Sequence, residues 1–333
     1  MEQRACRPGD DRVTGDGWLL EGVDVRRVWA ALAGRVRPAV FVRSERLERE
    51  VGADVTLVLE VHQRTGSFKY RAALGAALFA RGRRLVTASS GNFGAALALA
   101  ASEAGLPCMV VMPAASARVK IDAVRSLGAT VDLVDTAVVS RAERLAQLSL
   151  ADPAAEAISP YDDPRVVAGN ATLGSELFEG EDRFDCVLAP IGGGGLASGI
   201  VLARDLLGAR AAVVGAEPLL ANDAARSLRE GRLCANPCEP PTLCDGARTP
   251  SLGRLNYAIL SRGLEGIVEA EEATVERAVR LLFTAANVKA EPTGALALAA
   301  LLQDPGRFPS RRIACIVSGG NVDPALLCRI VGG

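Results

Sequence analysis

Thr65-Gly66-Ser67-Phe68-Lys69-Tyr70-Arg71 is the stretch from which the chain is read. The apolar run Val55-Thr56-Leu57-Val58-Leu59 leads into it, and the Ala-rich segment Tyr70 to Leu78 leaves it. A strand handing over to a helix through Gly and Ser places Lys69 at a helix start beside the apolar Phe68. Burial there strips water from the ammonium, and the positive end of the helix dipole opposes the cation. Both effects favour the free amine, the form that makes a Schiff base with an aldehyde. Taken alone, the seven residues read first as an ordinary helix-start lysine. Three later stretches reverse that order.

Working outward, residues 1 to about 20 are polar and Gly-rich and are expected to be disordered. Val23 to Val36 reads as an amphipathic helix stopped by Pro38, and Arg43 to Val51 as a second short helix. Beyond the lysine, strands and helices alternate. Arg84 to Ala88, Cys108 to Met112 and Thr130 to Val134 read as strands, and Phe93 to Glu103, Ser116 to Leu127 and Ser140 to Leu150 as helices. The polar loop Ser89-Ser90-Gly91-Asn92 follows the first of these strands. Ser159-Pro160-Tyr161-Asp162-Asp163-Pro164 is a crossing and marks a domain boundary. A helix at about Ala168 to Leu177 precedes the buried strand Asp185 to Ile191. Gly192-Gly193-Gly194-Gly195 then opens a helix from Leu196 to Leu207, and Ala211 to Ala216 is a strand. Residues 231 to 254 form a long loop with four prolines. Helices at 272–287 and 293–302 lead to a last strand, Ile313 to Val317, which ends in Ser318-Gly319-Gly320-Asn321. This alternation is the pattern of an α/β protein with parallel sheets.

Composition narrows the function. Aromatics make up only 4% of the 333 residues against 49% hydrophobic, so Ala, Val and Leu must build the core. Thirty-eight basic and 39 acidic residues nearly cancel, which gives no footprint for nucleic acid or an acidic membrane. The eight cysteines contain no CxxC pair. Cys234, Cys238 and Cys244 share one loop, but His62, the single histidine, is far from them, so a zinc site is the weaker reading. Reduced thiols, no signal peptide and no membrane-length apolar run point to the cytoplasm.

Four glycines between a buried strand and a helix let backbone N–H groups converge on an anion, with the helix dipole in support. The expected anion is a phosphate; a flexible loop is the bland alternative. A dinucleotide reading is also available, since Gly192, Gly194 and Ala197 fit G-x-G-x-x-A and Glu217 closes the next strand. It leaves Lys69 and the other two polar Gly loops without a role. One account uses all four loops. Lys69 forms an imine with a pyridoxal aldehyde, and the glycine loop holds its phosphate. Asn92 donates to the ring's phenolic oxygen, and Ser318 bonds the ring nitrogen. A serine there does not force that nitrogen to stay protonated, which favours loss of a β leaving group over transamination.

Ser67-Phe68-Lys69, Ser89 to Asn92, Gly192 to Gly195, Glu291-Pro292-Thr293-Gly294 and Ser318 to Asn321 occur in the order seen in fold-type-II pyridoxal-phosphate enzymes. Over roughly residues 35 to 325 the chain resembles their serine/threonine dehydratase and serine racemase group. Asp245-Gly246-Ala247-Arg248-Thr249 and Leu252-Gly253 strengthen the likeness. The resemblance implies a tryptophan-synthase-β-like fold of two open parallel-sheet α/β domains, with the cofactor in the cleft between them. The large domain would comprise 1–83 and 162–333, the small mobile domain 84–161, and the working unit a homodimer. It implies that Phe68, Lys69, Asn92, Gly192, Gly193, Gly194, Gly195, Leu196 and Ser318 bind the cofactor. Ser90 would face the substrate Cα opposite Lys69. Ser89, Ser90, Gly91, Asn92 and Phe93 would border the substrate carboxylate, and Arg141 its distal group. Glu217, Ala221 and Asp223 match a divalent-cation site suited to Mg2+ or Ca2+.

The sequence departs from the family pattern at Phe93, Tyr161 and His62. The expected activity is dehydration and deamination of a β-hydroxy-α-amino acid of the serine/threonine type to a 2-oxo acid and ammonia. Racemisation, β-replacement and, from a different class, a non-catalytic binding protein are the alternatives.

Overall fold

The computed structural model describes residues 13–14, 18–89, 91–179, 183–309 and 311–333. A six-stranded sheet runs in the spatial order Gly266–Ala270, Ala212–Pro218, Cys186–Pro190, Arg312–Val317, Asp54–Leu59, Val40–Arg43. Every neighbour is parallel except the edge strand Val40–Arg43, which pairs antiparallel with Asp54–Leu59. Val40-Phe41-Val42 is rich in β-formers, and the next helix starts only at Glu45, where the Ser44 hydroxyl accepts from the Leu47 amide. The expected helix start at Arg43 is therefore a strand end.

Register in this sheet decides what meets at its edge. Ile313 lies opposite Val55 and Val317 opposite Leu59, while Cys315 lies opposite Leu188. The loops leaving Leu59, Val317 and Pro190 thus begin side by side at the carboxyl ends of three adjacent parallel strands, where open α/β sheets bind ligands. Those loops carry Lys69, Ser318 and the four glycines.

A second, wholly parallel sheet has the order Thr130–Val134, Cys108–Pro113, Arg84–Ala88, Ala155–Ala157. The three-residue strand Ala155–Ala157 is too short for a periodicity signal. Helices Asp223–Glu230, Arg254–Gly263 and Pro324–Gly332 and strand Gly266–Ala270 are likewise additions to the sequence reading. Most of the expected disordered start, residues 1–12 and 15–17, lies outside the described residues. Val13–Thr14, Leu19–Leu20 and Val23–Asp24 pair as a small antiparallel sheet with Leu20 fully buried, so disorder does not extend to residue 20. Asp24 caps the next helix through the Arg27 amide, which shortens it to Val25–Leu32.

Three helices behind the lysine pack at backbone contact: Lys69–Leu78, Pro164–Phe178 and Gly195–Leu207. A Cβ on Gly169 would come to 2.4 Å from the Arg71 carbonyl oxygen, and one on Gly199 to 2.7 Å from the Ala171 nitrogen. Ala and Gly supply this closeness, which is how a chain poor in aromatics fills its interior.

Between the first two helices lies a buried charge. Arg71 has no solvent exposure and Glu60 1%. The guanidinium meets Glu60 through Nε at 3.0 Å and Nη2 at 2.8 Å, and Glu176 at 2.6 Å. It also donates to Thr172 and to the Arg37 carbonyl. Removing one member of such a set strands a buried charge, at about 3–5 kcal/mol. Arg71→Met should lower the unfolding free energy by that amount in urea denaturation. A loss under about 1 kcal/mol would show that the network does not hold this region.

Candidate active site

The helix Lys69–Leu78 begins with the lysine itself, and no side chain caps its start. The Phe68 amide donates to the Ser318 carbonyl at 3.0 Å, and Ser67 bridges Gly319. In-register strands therefore lay Ser318, which is 2% exposed, against the lysine loop. Lys69 Nζ lies 5.0 Å from the Phe68 ring centre and 5.7 Å from that of Phe93, and donates to the Pro160 carbonyl at 2.8 Å. Burial pulls its pKa down to about 8, against the opposing pull of Glu291. The amine is thus within easy reach of its free-base form near neutral pH.

The glycine loop comes to the same place. The Gly193 carbonyl accepts from Asn256 Nδ2 at 2.6 Å and from the Gly253 amide at 3.1 Å. In a trans peptide the N–H points away from the C=O, so the Gly194 amide faces the opposite side. None of the amides of Gly192 to Gly195 donates to another group among the described residues. Side chains are excluded as well: a Cβ on Gly192 would reach 2.5 Å from the Gly246 oxygen, and one on Gly193 would lie 2.2 Å from the Tyr161 ring. Gly194 has φ +91°, which a residue with a Cβ seldom adopts. The helix that follows, Gly195–Leu207, adds its N-terminal dipole, and Leu196 is buried in its first turn. Unengaged N–H groups at a helix start make an anion site. Beside it, both polar atoms of the buried Asn170 amide lack a partner, with Nδ2 3.4 Å from the place a Gly195 Cβ would take.

The second sheet delivers the remaining polar loop. Ser89 Oγ accepts from the Gly91 and Gly94 amides and so holds the start of helix Asn92–Glu103. Ser90 lies outside the described residues. Asn92 Nδ2 donates to Glu291 Oε1 at 2.7 Å, and Asn92 Oδ1 accepts from Asn321 at 2.8 Å. Phe93 is 2% exposed, and its ring faces the lysine amine. Arg141 opens helix Arg141–Ala151 and acts electrostatically on the Tyr161 phenol, whose pKa burial, Asp162 and Asp223 raise and Arg141 lowers.

Glu217, Ala221 and Asp223 form a separate group. The Glu217 carboxylate accepts from the Ala224 and Ala225 amides, and Asp223 Oδ1 from Asn236. Burial pushes the Glu217 acid well up, and the Asp223 charge adds to it; burial likewise raises Asp223 to about 6. Asp223 Oδ2 is buried without a partner.

The structure therefore brings Lys69, Phe68, Phe93, the glycine loop, Ser318 and Asn92 around one place, with Asp223 acting on the Tyr161 phenol beside it. Two contributors were noticed in the sequence, Tyr161 as a departure and Glu291 within a motif, but were given no role. Tyr161 covers Gly193, and Glu291 binds Asn92 across 199 residues of sequence. An acid directly before Pro292 at a helix start was the available signal for Glu291.

Comparison with known proteins follows the same lines. Residues 32–319 match the family model described as pyridoxal-phosphate dependent enzyme. A β-hydroxyaspartate dehydratase of Paracoccus denitrificans is 37% identical over 294 residues, covering 86% of this chain and 92% of that protein. An L-threo-3-hydroxyaspartate ammonia-lyase of a Pseudomonas species is 34% identical, covering 90% and 95%. The solved structure of maize serine racemase superposes with a TM-score of 0.86 at 30% identity, covering 92% and 94%.

The Lys69 amine carries a pH signature. Its folded pKa of about 8 lies below the unfolded value of about 10.4, so protonated Lys69 destabilises the ligand-free fold below pH 8 and that penalty fades as pH approaches 10.4. Lys69→Met should therefore be more stable than wild type at pH 7, by at most about 3 kcal/mol, with the gap closing by pH 10.4. Urea unfolding at pH 7, 9 and 10.4 checks this; a constant gap would place the amine in water.

Proposed function

The chain belongs to the pyridoxal-phosphate-dependent enzymes, and from that premise we propose that it is an ammonia-lyase acting on a β-hydroxy-α-amino acid of the 3-hydroxyaspartate type. The observation that carries the reading is a desolvated lysine amine beside four unengaged glycine amides. Those residues fit the cofactor: the amides of Gly192 to Gly195 and of Leu196 would take its phosphate, Asn92 and Ser318 the polar atoms of its ring, and Phe68 the ring's flank. Bound pyridoxal phosphate supplies an aldehyde for the amino group and a sink for negative charge at Cα.

The protein's own groups do the rest. Free Lys69 accepts the Cα proton, and burial, by lowering its pKa to about 8, raises the share of the free base that this requires. The β C–O bond breaks with its electron pair leaving on oxygen, which takes a proton and departs as water. Water then replaces the amino group, so one water is lost and one regained, and the products are a 2-oxo acid and ammonium. Ser89, Gly91 and Asn92 at the start of their helix, with Phe93, would border the substrate carboxylate. Ser90 would hold a proton on the face opposite Lys69. Arg141 would meet the distal carboxylate beside Tyr161. Residues 84–161 would act as the small domain that closes over the substrate.

Glu217, Asp223 and the Ala221 carbonyl would hold Mg2+ or Ca2+. Two buried acids, both raised by burial and one with an unpartnered oxygen, suit a hard cation.

Two experiments test these assignments. In a panel of β-hydroxy amino acids scored for 2-oxo acid and ammonia, 3-hydroxyaspartate should be preferred, and Lys69→Ala should abolish turnover. Arg141→Ala should lower kcat/KM for 3-hydroxyaspartate about 10- to 100-fold, the worth of a charge-assisted hydrogen bond, and leave serine nearly unaffected. Equal losses on both substrates would remove Arg141 from the distal-group site. For the cation, EDTA should lower the melting temperature of wild type and magnesium restore it, with no response in Glu217→Gln. A wild type indifferent to both reagents overturns that site.

A further inference from the structure

A directed chain of side-chain amides joins the lysine loop to Glu291. Asn321 Nδ2 donates to the Thr65 carbonyl at 2.8 Å and to Asn92 Oδ1 at 2.8 Å. Asn92 Nδ2 donates in turn to Glu291 Oε1 at 2.7 Å. The directions are not interchangeable. A carbonyl only accepts, so Asn321 must turn its amino group toward Thr65 and Asn92. That fixes the Asn92 oxygen toward Asn321 and its amino group toward Glu291, whose Oε1 accepts. One N–H of Asn92 is left over.

Backbone geometry holds both ends of the chain in place. Gly66 has φ +75°, and a Cβ there would lie 2.4 Å from Asn321 Oδ1. A Cβ on Gly319 would lie 2.5 Å from Glu291 Oε1. Glu291 itself precedes helix Pro292–Gln303, and its amide donates to the Gly319 carbonyl. Asn92 opens a helix of the four-stranded unit, so the Asn92–Glu291 bond crosses from one sheet system to the other. The Asn321–Asn92 bond crosses there too, and so does an ion pair: Lys120 of helix Arg118–Ser126 lies 3.5 Å from Asp245.

We propose that Glu291 is a positioning residue that acts through Asn92, fixing the Asn92 amide so that its remaining N–H is aimed at the cofactor ring. The inference rests on the cleft being the pyridoxal-phosphate site, as read above. Glu291 bonds Asn92 directly and acts on the Lys69 amine as a charge. Its carboxyl faces Lys69, Lys120, Asp245 and the thiol of Cys244. Burial raises its pKa to about 7; Asp245 adds to the rise, and Asn92 and the two lysines work against it.

The test is a double-mutant cycle on cofactor affinity, read by titrating each apoenzyme with pyridoxal phosphate and following its visible band. Glu291→Ala should raise the dissociation constant about tenfold. Glu291→Gln, which keeps an acceptor oxygen, should stay within threefold of wild type. Asn92→Ala should lose as much as Glu291→Ala, and the double variant no more than either, because both break one linkage. In turnover the loss should fall on kcat with KM little changed. If Glu291→Ala does not fold, Glu291→Leu replaces it with the same expected loss. A dissociation constant within twofold of wild type for the Ala or Leu variant, or additive losses in the cycle, overturns the proposal. Failure of wild-type apoenzyme to bind pyridoxal phosphate at all would instead overturn the reading of the site.

Discussion

A guanidinium with no solvent exposure sits two residues beyond the lysine, and the aim of the Lys69 amine depends on it. Two helical residues span about 200° around the axis. Turning Arg71 inward, onto Glu60 and Glu176, therefore turns Lys69 the other way, toward the cleft. The partners come from the end of a core strand, from the helix Pro164–Phe178 and from the backbone at Arg37. A buried charge tolerates no vacancy among its partners, so these segments are fixed relative to the first turn of the lysine helix.

On that frame the cleft assembles from loops that need share nothing in sequence. Three in-register parallel strands end together and present an amine, a serine and a row of backbone donors. The chemistry divides accordingly. Burial among apolar rings lowers the pKa of the amine and so favours its neutral form, and glycine backbone with a helix end makes the anion site. Neither needs a charged side chain aimed at the ligand, and this keeps an ammonium away from the amine that must stay neutral.

The sequence displayed the parts of this site better than their arrangement. Lys69, the glycine run and the Ser318 loop were legible because each sits where a strand hands over to a helix or a loop, and special residues are concentrated at such points. The antiparallel edge Val40–Arg43 was missed because Arg43 and Ser44 also fit a helix start, and only pairing with Asp54–Leu59 decides between them. Ala155–Ala157 became a strand through its neighbour Arg84–Ala88, not through its own pattern. Tyr161 stood out in sequence as a departure, but its cover over Gly193 depends on the crossing segment folding back onto the loop. The Asn92–Glu291 bond is tertiary in the same way: neither residue predicts the other.

The backbone contact between the three helices behind the lysine also limits how this protein can change over time. A methyl group at Gly169 or Gly199 would strike main-chain atoms of the neighbouring helix, which cannot rotate away as a side chain can. The distance from the amine to the anion site is therefore closed to adjustment by single substitutions at these helix contacts. Helix Arg141–Ala151, which holds no buried residue, carries no such lock, and side chains can change on its face while that distance stays constant.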